Sequence, residues 1–416
     1  MNQGVFFMKF IHAADIHLDS PFKGLRKAPD QIWNLIHDST YHAFANMVST
    51  AINENVDFVL IVGDLFDQIQ HSIRADLFVN DQFERLNQQQ IPVYLSYGNH
   101  DYLNENTEII DYPKNVHVFP KQPQEEYLTL KDGTTVTIVG FSYDKQAVKE
   151  DVVSGFPSRS QTDFEIGTVH GSLDTLNAPE ANYAPFSKGE LLALHYDYWA
   201  LGHIHKRQIL NEDPAIIYPG NLQGRHKNEP GAKGFYLVSS EGQKLNPEFI
   251  AASVVDWQTV IIDAEAKDSF DNIVKKILNA IENLFDKKPT FVDVKIKNAQ
   301  ALGNSILIRI KDDSLLEVVQ QKLLKSSSSW VYEIAPVPTH EISNLSALDN
   351  EFWEQSRKKV FTAENIDKTA GKLLNYKFIT EELDDESQDT QLQELAETLL
   401  LENGGREEQN DEDIKD

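Results

Sequence analysis

Five short polar clusters carry the residues of this chain that could do chemistry. They are Asp15-Ile16-His17, Gly63-Asp64-Leu65-Phe66-Asp67, Gly98-Asn99-His100-Asp101, His170-Gly171 and Gly202-His203-Ile204-His205. Asp15, His17, Asp64, Asn99, His170, His203 and His205 offer oxygen and imidazole donors and no sulfur. That set suits Mn²⁺, Fe²⁺ or Zn²⁺ better than calcium, which takes only oxygen. Seven donors exceed what one tetrahedral ion uses and suit two ions sharing a bridge. Two ions about 3.5–4 Å apart clamp the attacking and leaving oxygens of an in-line phosphoryl displacement, with a bridging hydroxide as the nucleophile. Asp15 and His17 stand two apart, so an extended segment turns both to one side, and His203 and His205 repeat the spacing.

An apolar run precedes each cluster: Lys9–Ala14, Val56–Val62, Ile91–Tyr97, Phe164–Val169 and Tyr198–Leu201. These runs are rich in β-branched and aromatic residues, as buried strands are. Ile32, Leu35, Ile36, Phe44, Met47, Val48, Ala51 and Ile52 recur at helical spacing between the first two, and Leu77, Phe78, Phe83 and Leu86 follow Asp67. Strand–helix alternation implies an α/β sheet, in which ligands gather beyond the carboxyl ends of the strands. Every cluster sits at such an end.

The order DxH, GDxxD, GNHD, His-Gly, GHxH resembles the five motifs of the calcineurin-like metallophosphoesterases over residues 8–240. The resemblance implies a four-layer α/β sandwich with two divalent ions. One ion would take Asp15, His17, Asp64 and His205, the other Asp64, Asn99, His170 and His203. His100 would then stay off the metals and contact the scissile phosphate or protonate the leaving oxygen. Within that superfamily, KFIHAADIHLDSP and GDLFD resemble the opening motifs of SbcD-type DNA repair nucleases. Tyr218-Pro219-Gly220-Asn221 resembles the segment following GHxH there, and Leu222-Gln223-Gly224-Arg225-His226 is closer still to the YhaO branch of Bacillus-like bacteria. The phosphoprotein phosphatases carry GDxVDRG and GNHE instead. Archaeal and eukaryotic relatives of SbcD often end GDLF with a second catalytic histidine; Asp67 stands here, and that role does not carry over. The resemblance implies a DNA phosphodiesterase, exonucleolytic with endonucleolytic cleavage also open, that works on Mn²⁺ with an SMC-like, SbcC-like ATPase partner. It also implies a homodimer by analogy.

Several residues have blander readings. His12 lies inside the first strand and reads as a core histidine, and His37, His42, His71, His117, His195 and His340 as structural. Asp67 and Asp101 read as supports for the ligands or as turn residues. Lys206, Arg207, Arg225, Lys227 and Lys233 follow GHxH. They are either a solvated basic loop or a strip that contacts DNA phosphates. Two rivals to the nuclease stay open, a small-molecule nucleotide phosphodiesterase on the same site and a scaffold without catalysis. An intact ligand set weighs against the scaffold.

The 416 residues carry a net charge of −27 and no cysteine, so a disulfide framework, thiolate ligands and a cysteine nucleophile are excluded. The acidity is unequal: Glu381–Asp416 holds 15 acidic and 2 basic residues, a net of −13. Without a signal-like N-terminus or the roughly 18 consecutive apolar residues that cross a bilayer, the expectation is a cytoplasmic protein with no membrane contact. The expected organisation is a phosphoesterase domain over 1–245, a βαββαβ cap over 246–338, helices over 339–403 and a disordered acidic tail over 404–416. In the cap, Ile306–Ile310 reads as a strand.

Overall fold

A computed structural model describes residues 8–22, 28–103, 111–174, 183–282, 284, 288–324 and 329–337, with isolated positions 360, 365, 368, 369 and 371. The helices expected over 339–403 and the acidic tail lie outside the described residues.

The chain alternates β1 (Lys9–Ala13), α1 (Asp30–His37), α2 (Ser39–Asn53), β2 (Phe58–Val62), α3 (Ile73–Gln88), β3 (Val93–Ser96) and β4 (Val116–Val118). It continues through β5 (Gln124–Thr129), β6 (Thr135–Gly140), β7 (Phe164–His170), α4 (Lys188–Ala193), β8 (Tyr198–Gly202), β9 (Gln208–Glu212) and β10 (Ala215–Tyr218). The hairpin β11 (Gly234–Glu241) and β12 (Lys244–Ala251) returns to the first sheet. Two six-stranded sheets result, ordered β12-β11-β1-β2-β3-β4 and β5-β6-β7-β8-β10-β9. The β1–β2, β2–β3, β6–β7 and β7–β8 pairs are parallel, so the ends of β1, β2 and β3 align in one sheet and those of β7 and β8 in the other.

Alternation along the strands builds the layers. Ile11, Ala13, Val59, Ile61, Val93 and Leu95 face Phe44, Met47, Val48, Phe83 and Leu86 of α2 and α3. Their neighbours Phe10, Phe58, Leu60 and Val62 point the other way, into an apolar layer with Val136, Ile138, Phe164, Ile166, Tyr198 and Ala200 of the second sheet. Beyond that sheet, Val139, Val169, Trp199 and Leu201 pack with Phe156, Phe186 and Leu191. This is the expected α/β sandwich of four layers. His12, turned into the middle layer, is fully buried and satisfied: its ring nitrogens lie 3.0 Å from the Tyr198 hydroxyl and 3.0 Å from the Leu201 carbonyl.

After β12 the elements are β13 (Asp256–Asp263), α5 (Phe270–Glu282), β14 (Thr290–Lys297), α6 (Asn304–Lys311), α7 (Ser314–Leu323) and β15 (Trp330–Pro336), with one sheet ordered β13-β14-β15. The order is βαβααβ, because Ile306–Ile310 is helical and not a strand. Ile-Leu-Ile-Arg-Ile satisfies both periods, since Ile306 and Ile310 also stand one helical turn apart. They are buried at 6% exposure each while Ile308 is 61% exposed, the helical solution. Trp257, Phe291 and Trp330 pack with Phe22, Ile32 and Ile36, so this part shares a core with α1. By contacts the chain divides into one unit of Met1–Ile262, Ser269–Val294 and Ile308–Ile334, and another of Asp263–Asp268, Lys295–Leu307 and Ala335–Asp416. All site residues below lie in the first.

Candidate metal centre

The loops leaving β1 and β2 are zipped together. The amides of Asp15, Ile16, His17 and Leu18 donate to the carbonyls of Gly63, Asp64, Asp64 and Leu65, and Asp67 N–H returns to the Leu18 carbonyl. The pairing holds Asp15, His17 and Asp64 at φ of 53°, 49° and 53°, with His203 at 95°. Left-handed backbone at residues other than glycine costs of order 1–3 kcal/mol each and persists where surrounding structure enforces it, commonly at functional sites. A side chain at Gly98 would place its Cβ 2.2 Å from Asp64 Oδ1, so that close approach requires glycine.

The seven donors expected from the sequence come together. Asp15 accepts the His203 amide on both carboxylate oxygens, at 3.0 and 3.1 Å. Nε2 of His17 and Nε2 of His205 lie 3.0 Å apart. Asp64 Oδ2 is 3.7 Å from His17 Nε2 and 3.4 Å from His170 Nε2, so one carboxylate oxygen reaches both ends of the site. Asn99 Oδ1 is 3.0 Å from His170 Nε2 and 3.2 Å from His203 Nδ1. Asp15, His17, Asp64 and His170 are all buried at 1% exposure or less.

Proton bookkeeping shows that these residues fit cations. Nδ1 of His205 lies 2.6 Å from Glu229 Oε1 and must donate to it, which leaves a lone pair on Nε2 aimed at His17. His17 Nδ1 lies 3.3 Å from Asp67 Oδ1 without a satisfying hydrogen bond. Burial holds His17 neutral, its pKa down at about 3. With the proton on Nδ1, two imidazole lone pairs face each other; with it on Nε2, a lone pair faces Asp67. At the other end, His170 Nδ1 donates to the Val62 carbonyl at 3.0 Å, so its Nε2 faces the oxygens of Asn99 and Asp64. A cation resolves the conflict at the His17–His205 end, and at the His170 end it would stand where a proton on Nε2 otherwise serves the oxygens of Asn99 and Asp64.

The charges agree. Asp15, Asp64, Asp67, Asp101 and Glu229 are all buried. Burial raises the pKa of Asp15. In Asp64 burial is outweighed by the charges of His170 and His100, and its pKa falls well below the usual range. In Glu229 burial is likewise outweighed by His205 and Arg225. Asp101, raised to about 7 by burial and by Asp64, accepts the amides of Gly98, Leu65 and Phe66 at 2.8, 2.7 and 3.2 Å. Arg225 and Lys233 are the cations the structure places among these carboxylates, and divalent ions would balance the rest.

His100 stands beside the centre, with its amide 3.0 Å from Asp64 Oδ1 and its ring edge-on to His17 at 4.8 Å between centroids. Nδ1 donates to the Asp67 carbonyl at 2.8 Å, which leaves Nε2 to meet a substrate oxygen. The basic residues divide. Lys206 and Arg207 are exposed, Arg207 with its guanidinium 3.8 Å from the centroid of the Phe249 ring. Arg225 faces inward instead, with Nη1 2.5 Å from Asp67 Oδ1 and Nη2 3.4 Å from His205 Nδ1. Lys227 pairs with Glu333 at 2.9 Å, and buried Lys233 donates to the His205 carbonyl at 2.9 Å. Glu229 escaped the sequence reading: it lies in the β10–β11 loop after a basic run and belongs to none of the five clusters.

Among the described residues no helix is long and apolar enough to cross a membrane. Residues 8–207 match the family model of the calcineurin-like phosphoesterases. Over 283 residues the chain is 41% identical to the "Uncharacterized metallophosphoesterase YhaO" of Bacillus subtilis, covering 67% of this chain and 68% of that one. It is 28% identical over 272 residues to the "DNA double-strand break repair protein Mre11" of Thermoplasma acidophilum, covering 60% and 68% of the two chains. To the protein of that name from Methanocaldococcus jannaschii it is 24% identical over 402 residues, 89% of this chain and 100% of the other. The five motifs, the sandwich that carries them and the YhaO similarity agree: this chain belongs to the calcineurin-like phosphoesterases and is a metal-dependent phosphoesterase.

Proposed function

We propose that the centre hydrolyses DNA phosphodiesters in DNA repair, as an exonuclease with endonucleolytic capacity, using two divalent ions of which Mn²⁺ is the physiological choice. The observation that carries the two-ion reading is Asp64 Oδ2, within 3.7 Å of a histidine at each end of the site. Bound ions would supply the charge that brings the pKa of water toward neutrality and offsets the phosphate. Asp15, His17, Asp64 and His205 would hold one, and Asp64, Asn99, His170 and His203 the other. His100 contributes Nε2, from which an imidazolium donates a proton to the leaving oxygen. Acid help of this kind is worth roughly 10²–10⁴-fold.

Similarity to two proteins named for double-strand break repair supports DNA as the substrate. On the same ground we propose an SMC-like ATPase partner and a homodimer. Lys206 and Arg207, exposed just past His205, are the residues of the expected basic strip that we assign to phosphate contacts. Arg225 and Lys227 already have carboxylate partners.

The test is cleavage of labelled single- and double-stranded DNA across Mn²⁺, Mg²⁺ and Zn²⁺, beside binding of Lys206→Ala and Arg207→Ala across salt. Each lost phosphate contact flattens the log K against log salt slope by about 1. Hydrolysis of bis-p-nitrophenyl phosphate should stay unchanged in both variants. Fast turnover of cyclic or mononucleotide diesters, negligible DNA cleavage and a salt slope near zero would instead establish a small-molecule phosphodiesterase.

A further inference from the structure

The two ends of the centre are backed by different chemistry. His205 turns Nδ1 onto the Glu229 carboxylate at 2.6 Å, and His17 turns Nδ1 toward Asp67 at 3.3 Å. His170 turns Nδ1 onto the Val62 carbonyl at 3.0 Å, while His203 turns Nδ1 into the site itself, 3.2 Å from the donor oxygen of Asn99. The imidazoles of His17 and His205 are therefore backed by anions, and that of His170 by a neutral carbonyl. Asp64 reaches both ends, so it does not distinguish them.

Glu229 is the most firmly placed of these supports. Its side chain is 5% exposed. Oε1 takes His205, while Oε2 accepts the Arg225 amide at 2.7 Å and Asn221 Nδ2 at 2.8 Å. With both oxygens occupied, the carboxylate cannot turn away from His205. The Arg225 guanidinium spans the gap between the two carboxylates, with Nη1 2.5 Å from Asp67 Oδ1 and Nη2 3.9 Å from Glu229 Oε1. Lys233 adds a second cation nearby, on the His205 carbonyl at 2.9 Å, but what faces the far nitrogen of His205 directly is the Glu229 carboxylate. A carboxylate on the far nitrogen fixes the orientation of a ligating imidazole and makes it a stronger donor; losing such a partner costs typically 10–100-fold in metal affinity.

We infer that the two metal positions are unequal and that Glu229 is the positioning residue that makes them so. The position on Asp15, His17, Asp64 and His205 fills first and holds its ion more tightly; the position on Asp64, Asn99, His170 and His203 fills second. This rests on the two-ion reading above and is independent of the substrate.

The experiment is calorimetric titration of chelator-stripped protein with Mn²⁺, with the bound ion followed by electron paramagnetic resonance. The parent should bind two ions at least about tenfold apart, the first giving an isolated Mn²⁺ spectrum that is lost as the second ion couples to it. Glu229→Gln should weaken the tight event by about 10–100-fold and leave the weaker one in place. His170→Asn should abolish the weak event and keep the tight one. That variant and the parent decide the order even if Glu229→Gln fails to fold, which circular dichroism of the stripped protein would reveal. Two ions of equal affinity in the parent, or a Glu229→Gln variant that loses both events alike, would overturn the inference while leaving the two-ion reading intact. A parent that binds a single ion would overturn both.

Discussion

Removing the metals should expose a pH dependence that resides in one residue. Burial by itself would lower the pKa of His170, but the charge and hydrogen bond of Asp64 and the charge of Asp15 outweigh it and hold the group up at about 9, against an ordinary 6.5. The folded state then binds a proton that the unfolded state has released, so the stabilisation is complete below pH 6.5 and disappears as pH rises through 9. Asp101, raised to about 7, has the same sign but has spent most of its effect by pH 7.5. Between pH 7.5 and 9.5 the His170 contribution should fall by about 2 kcal/mol, from the integrated difference between the two pKa values. The assay is urea unfolding of protein kept in chelator at pH 7.5, 8.5 and 9.5, beside His170→Asn. The parent midpoint should drop steadily and the variant midpoint should stay nearly level. A level parent, or equal slopes in both proteins, would show that His170 is not the proton carrier and would refute the reasoning that Asp64 and Asp15 hold its ring protonated once the metals are gone.

His100→Ala should keep the fold and both ions and lose roughly 10²–10⁴-fold in turnover; a kcat within a few-fold of the parent at full metal content would remove His100 from the chemistry. Asp67 and Arg225 form a buried pair at 2.5 Å, so Asp67→Asn and Arg225→Gln each strand a charge, and the double variant should be more stable than the sum of the singles by about 1–3 kcal/mol. Additivity within about 0.5 kcal/mol in metal-free unfolding would deny the coupling. Ending the chain after Thr380 removes 15 acidic and 2 basic residues and should strengthen DNA binding at low salt while leaving bis-p-nitrophenyl phosphate hydrolysis intact. Weaker DNA binding on truncation would show that the segment takes part directly.

What could be read from the sequence follows from where information sits in this fold. The candidate ligands stand at the ends of strands whose apolar runs are themselves legible, and parallel pairing brings those ends together. Asp15, His17, Asp64, Asn99, His170, His203 and His205 could therefore be named from order and spacing. Ile306–Ile310 misled because its apolar residues fit a period of two as well as one helical turn, and burial decides between them. Glu229 and Arg225 were not legible as they stand. They act from the loop between β10 and β11, have no periodicity of their own, and sit in a basic run that reads equally well as a solvent-facing strip. Only the contacts show that this run turns inward. The clue was present in two halves. The resemblance to SbcD-type nucleases singles out position 67, where archaeal and eukaryotic relatives often have a histidine, and a carboxylate there, packed beside His17 and so near Asp64, needs a cation. Arg225 is that cation, delivered from 158 positions away in the chain. The departure at Asp67 and the arginine in Gln223-Gly224-Arg225-His226 are thus one feature. It is an ion pair beside the centre, whose guanidinium also lies against Glu229 and His205.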